Sequence, residues 1–171
     1  MKRLLKQVLF LTVALGLFFV SACNDTGCTE NQNSLPLAGF YSSQTKSAVS
    51  IDSLTVFGVG MIGDTTIIHN SNSIHQVYMP FNVNATQSRF VLRYEQKNFA
   101  QYGIEDTLTI NYEPVPFFHS NECGAMYLYE IKDYSITHAL IDSVLILDSR
   151  IDNTNKENIQ IIFLTKEDDN E

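Results

Sequence analysis

Through most of the chain, apolar residues recur at every second position. In residues 89–95, Phe90, Leu92 and Tyr94 share one face while Arg89, Arg93 and Glu95 take the other. In residues 106–113, Leu108, Ile110 and Tyr112 oppose Thr107, Thr109 and Asn111. Six more short stretches continue the pattern: DSLTVFG, TTIIHN, SIHQVYMPF, AMYLYEI, DSVLILDS and NIQIIFL. Gly, Asn, Asp, Ser and Pro separate them. A period of two in β-branched and aromatic runs is the mark of strands with one face buried. No helix-length repeat of 3.6 residues follows the first 22 positions. The pattern therefore predicts an all-β fold, an antiparallel β-sandwich of about eight strands, with a small β-barrel as the alternative.

Two segments depart from simple alternation. AMYLYEI is apolar on both faces, with Tyr127 and Tyr129 opposite Met126 and Leu128, which predicts a central strand or one covered on its outer side. EPVPFFH sets Pro114 and Pro116 two apart, removing two ladder donors, and suits an edge or an extended loop. Phe117 and Phe118 beside them are expected in the core, with an exposed contact patch as the alternative.

The start of the chain follows a different rule. Lys2, Arg3 and Lys6 precede an uncharged apolar run from Val8 to Val20, and small residues lead to Cys23. That order is a secretory signal. Its apolar run is shorter than the roughly 20 residues a bilayer-crossing helix needs. Val20-Ser21-Ala22-Cys23 resembles the bacterial lipobox, in which the cysteine after the cut is acylated; several acyl chains hold a protein on a membrane where one would be marginal. The expected organisation is a signal peptide over 1–22, a lipidated tether over 23–33, one β-sandwich domain over 34–165 and an acidic tail over 166–171. Of the 11 Lys and Arg, three lie in the signal, so 8 face 19 Asp and Glu in the mature chain, a net charge of −11. An acidic chain without a basic cluster argues against nucleic acid and against adsorption to anionic lipid by charge.

With Cys23 assigned to lipid, Cys28 and Cys123 remain. In an oxidising compartment an even pair is expected to bridge, two free thiols being the alternative. Other motifs have plainer readings. Gly58, Gly60 and Gly63 satisfy G-x-G-x-x-G, yet a strand-like DTTIIHN follows where a dinucleotide site needs a helix, so they read as a turn between strands and no cofactor is expected. His69, His75, His119 and His138 show no metal-ligand spacing, and DSRIDNTNKEN lacks the calcium-loop spacing, so no metal is expected and that stretch reads as a polar loop. Asp followed by Ser or Thr recurs at Ser53, Thr65, Thr107 and Ser143. It resembles the acceptor motif for O-glycosylation of exported Bacteroidota proteins, although Asp and Ser also simply end turns.

Taken together, the lipobox cysteine, the second cysteine in GCTE, SLTVFGVG, DTLTINYE, CG ahead of AMYLYEI, and IDSVLILDSRIDN leading to NIQIIFL resemble a family of small Bacteroidota lipoproteins of unknown function. The resemblance implies that Cys28 and Cys123 take that family's cysteine positions, which supports the disulfide, and brings no catalytic residue with it. The expected function is a lipid-anchored, non-enzymatic module of the cell envelope, in the outer membrane, binding an envelope protein or a glycan. Asn24 after the anchor, in place of the Asp that retains enterobacterial lipoproteins at the inner membrane, favours the outer one. A small envelope hydrolase is the competing reading, and it expects His119, Glu122 and Asp133 to converge.

Overall fold

The computed structural model describes residues 3, 28, 31–60 and 65–165. Among the described residues ten strands run in order β1 (Leu37–Ser42), β2 (Leu54–Val59), β3 (Thr66–Ser71), β4 (Gln76–Tyr78), β5 (Gln87–Tyr94), β6 (Glu105–Ser120), β7 (Gly124–Ile136), β8 (Ile141–Ile146), β9 (Arg150–Ile151) and β10 (Glu157–Phe163), with a helical turn at Lys97–Ala100. They form two sheets, β4-β1-β10-β8 and β3-β2-β5-β6-β7-β9. The sheets pack as a sandwich, one of them curled like half a barrel, so the expected class holds.

Alternation explains most of the packing. Phe90, Leu92 and Tyr94 on β5, with Leu108, Ile110 and Tyr112 on β6, point into the core, where they meet Ala38 and Phe40 of β1 and Ile159, Ile161 and Phe163 of β10. Burying each large side chain stabilises the fold by about 1.5–3 kcal/mol. The aromatic rings lock at angles favoured by their quadrupoles: Phe40 meets Phe163 edge-on at 5.2 Å, and Phe81 stacks on Tyr112 at 4.2 Å.

Two features go beyond the expectation. The strand pairs are antiparallel except β1 with β10, which run parallel, so the first and last strands lie side by side. β6 and β7 also outrun the sheet. β5 pairs with β6 only as far as Asn111, whereas β6 and β7 stay paired from Leu108 with Ile136 to Ser120 with Gly124. Beyond the sheet they continue as a two-stranded ribbon, turned at residues 121–123 and at Gly124, whose φ of +71° is open to glycine without strain.

The ribbon accounts for the two prolines. Tyr112 sends its N–H towards Thr86 on the β5 side, so Pro114 and Pro116, of the same parity, place their missing donors on the edge that no described strand covers. They cost the ladder nothing and blunt that edge against further pairing. The expectation that Phe117 and Phe118 belong to the core is corrected: they are 38% and 63% exposed, because the ribbon carries them past the end of the opposing sheet. AMYLYEI is covered on its outer side as expected, with Met126 and Leu128 buried there while Tyr129 and Ile131 join the core.

Candidate functional site

The two ends of the sandwich differ in chemistry. At the end where β5 finishes and β6 begins, a half-open cleft of about 470 Å³ lies beside the helical turn, within the size range of ligand pockets. Ile51, Phe99, Leu140 and Leu164 supply apolar walls, and Gln96 and Asn98 supply amides; among the described residues no charged one lines it. Gln96 starts the helical turn, its carbonyl accepting from the Phe99 N–H, and its side-chain amide donates to the Asp52 carbonyl at 3.2 Å. The Leu164 N–H donates to the Leu140 carbonyl, extending the pairing of β10 with β8 into the cleft wall.

Behind this cleft sits a fully buried carboxylate, Asp106. Its Oδ1 accepts from the Thr137 hydroxyl at 2.9 Å and the Ala139 N–H at 2.7 Å. Its Oδ2 accepts from the Tyr94 hydroxyl at 2.9 Å, the Leu140 N–H at 2.7 Å and the Ile141 N–H at 3.0 Å. A buried anion is tolerable only when so fully bonded. Here it ties the first strand of the ribbon pair to the crossover that carries the chain between the sheets. It also positions Tyr94 and Leu140, both cleft-lining residues. Burial, reinforced by the Asp106 charge and its hydrogen bond, pushes the Tyr94 phenol far up, so this group stays a donor.

At the opposite end, Cys28 is disulfide-bonded to Cys123 in the turn of the ribbon, with Cα atoms 4.7 Å apart. Residues expected in the tether join in: the Gln32 amide donates to the Cys123 carbonyl at 2.9 Å, and Asn31 and Asn153 exchange side-chain to backbone bonds. Exposed Val115, Phe117, Phe118 and Tyr127 cover the ribbon just behind that turn.

The remaining sequence-derived candidates scatter. Cys23 and Gly63 lie outside the described residues; the expected turn holds only for Gly60, which follows β2 with φ +77°, whereas Gly58 is buried within β2 and paired with Phe90. His119 sits on the outer ribbon with its ring 6.0 Å from that of Phe117, and Glu122 occupies the turn. Asp133 pairs back beside Asn111, eight β6 residues from His119, a strand distance of about 26 Å. Asp133 accepts a hydrogen bond from the Asn111 amide and borders a shallow groove between β7 and β8. The three groups of the hydrolase reading do not converge.

The polar loop after β8 holds its own cation. Lys156 lies 2.9 Å from Asp148 and 3.1 Å from Asp152. The bond from Lys156, with that from the Arg150 N–H, lowers Asp148 below the usual carboxylate range. Burial pulls Asp152 up, and Thr154 and Lys156 together outweigh it, while the two carboxylates raise Lys156. Among the described residues no group of three or more His, Cys, Asp or Glu is placed to hold a metal.

The acceptor-like positions fall in four settings. Ser53 has φ +52° and bonds Asn72 through both its N–H and its hydroxyl. Thr65 is exposed ahead of β3. Thr107 is half-buried, its motif's Asp106 consumed as above. The Ser143 hydroxyl donates to Asp142. No described helix is long and apolar enough to cross a membrane.

The model of a family of unknown function, DUF6452, matches residues 53–163. No curated protein and no solved structure matches the chain.

Proposed function

From the premise that the chain belongs to the DUF6452 family of unknown function, we propose that this protein is a lipid-anchored envelope lipoprotein of the Bacteroidota type, a non-enzymatic binding module that presents its cleft away from the membrane. The observation that carries the reading is the polarity of the molecule. Cys28 and Cys123 fasten the start of the fold, five residues after the lipobox cysteine, to one end, while the uncharged cleft lies at the other. Lipid on Cys23 holds the protein in the outer membrane, since the acidic surface has no means to adsorb by charge. Apolar walls flanked by amides suit an uncharged, partly apolar ligand, such as a peptide segment of an envelope partner. Glycan on Thr65, the exposed one of the four acceptor positions, would leave the cleft open.

Photo-cross-linking in intact cells tests this. A photoreactive residue at Leu164, beside the cleft, is compared with one at Asn84, an exposed loop position at the anchored end. The expected result is one defined envelope adduct from position 164, lost in Phe99→Asp and absent from position 84. Identical adduct patterns from both positions would refute a cleft-directed function.

A further inference from the structure

We propose that the free ribbon of β6 and β7 is a membrane-contact element whose tip lies in the interfacial layer of the bilayer, a reading that rests on the lipid anchor at Cys23. Past Asn111, β6 has no strand partner but β7 among the described residues, and the ribbon of the two carries four exposed large apolar residues. Cross-strand partners share a face of the ribbon. Val115 and Phe117 therefore lie on one face, opposite Leu128 and Met126, while Phe118 and Tyr127 lie on the other, opposite Ala125 and Pro116. The first face is open only in part, since Met126 and Leu128 on it are buried. Yet Val115 and Phe117 stay exposed there, so a partner protein docking on one side would leave apolar surface of the other in water. The interfacial layer of a bilayer surrounds an inserted tip and takes both.

Chain length makes the same point. Five residue steps separate Cys23 from Cys28, a reach of at most about 18 Å fully extended. Cys28 is bonded to Cys123 in the ribbon's own turn. An acylated Cys23 therefore holds the tip close to the lipid, together with the Asn31–Gln32 and Asn153 segments bonded beside it. Composition agrees, since Tyr and Phe are favoured where a ring can sit among headgroups with its polar edge wet. β6 contains neither Lys nor Arg, so the contact is apolar rather than electrostatic. Pro114 and Pro116 keep the free edge from recruiting a strand, which leaves the ribbon as a paddle.

The chain has no tryptophan, so a single indole reports its own surroundings. The full lipidated protein, carrying Phe118→Trp or, at the cleft end, Tyr102→Trp, is reconstituted into vesicles of phosphatidylethanolamine and phosphatidylglycerol containing lipids brominated high on the acyl chain. Both substituted positions are exposed, at 63% and 73%, so folding is not at stake. The expected result is that both proteins float with the vesicles, with emission blue-shifted and quenched at position 118 and unchanged at 102. Flotation with water-like, unquenched emission at 118 would overturn the membrane contact and leave the anchor standing. Failure of both to float would overturn the anchor, and the contact with it.

Discussion

Asp106 is the residue on which the cleft end turns. Five donors converge on its two oxygens, three of them backbone N–H groups of the crossover at 139–141. Asp106→Asn keeps the shape but turns one acceptor into a donor facing donors. The expected loss is about 3 kcal/mol, the scale of breaking a buried charged hydrogen-bond set, read as a lower urea midpoint. Tyr94 gives a pH signature. Its folded pKa is raised, chiefly by burial, above the ordinary 10.0, so the unfolded chain releases this proton first. Stability is therefore complete below about pH 10 and falls as pH climbs past it, and Tyr94→Phe removes that component of the alkaline slope. For Asp148 and Asp152 the sign is opposite: their folded values are lowered, so their contribution is present above the unfolded carboxylate range and lost as pH falls through the folded one. Both are partly exposed, and the expected effect is a local loosening of the 148–156 loop in acid, visible by NMR, ahead of global unfolding.

Strands were legible where one face is buried and the other wet. β1 was not, because its residues LAGFYS are buried on both faces, at five of six positions, and so show no alternation. Gly39 explains part of that. A Cβ there would meet the Glu157 carboxylate at 2.1 Å, in the space where that group accepts from the Tyr41 hydroxyl at 2.9 Å. Gly39→Ala is expected to swing Glu157 away and cost about 1 kcal/mol, seen in the melting temperature together with loss of the Tyr41 bond. Periodicity also assigns a residue to a face without saying whether another layer lies above that face. Phe117 and Phe118 fit a buried strand by composition, yet β6 runs on after its roof has ended. Asp106 had left a trace, since it shares parity with Leu108, Ile110 and Tyr112 and so stands at an inward position on an apolar face. Four of its five donors lie more than 30 residues away in the chain, which no local pattern reveals.

At the scale of the whole molecule, the disulfide and the parallel first and last strands set a direction. β1 starts beside the stapled end and finishes, alongside the end of β10, near the cleft. The Cys28–Cys123 bridge closes a separation of 95 residues, a constraint worth at most about 4.7 kcal/mol in the chain-entropy picture. Reduction with dithiothreitol is expected to lower the urea midpoint while leaving the cleft end folded under native conditions. Neutron reflectometry of the lipidated protein on a supported bilayer tests the orientation most directly. β6 alone, with 16 residues, is about 53 Å long, so a molecule standing on its ribbon forms a protein layer on that order of thickness that begins within the headgroups. A thinner layer, or a water-filled gap between headgroups and protein, would contradict an envelope module that stands on its aromatic ribbon and offers its cleft outward.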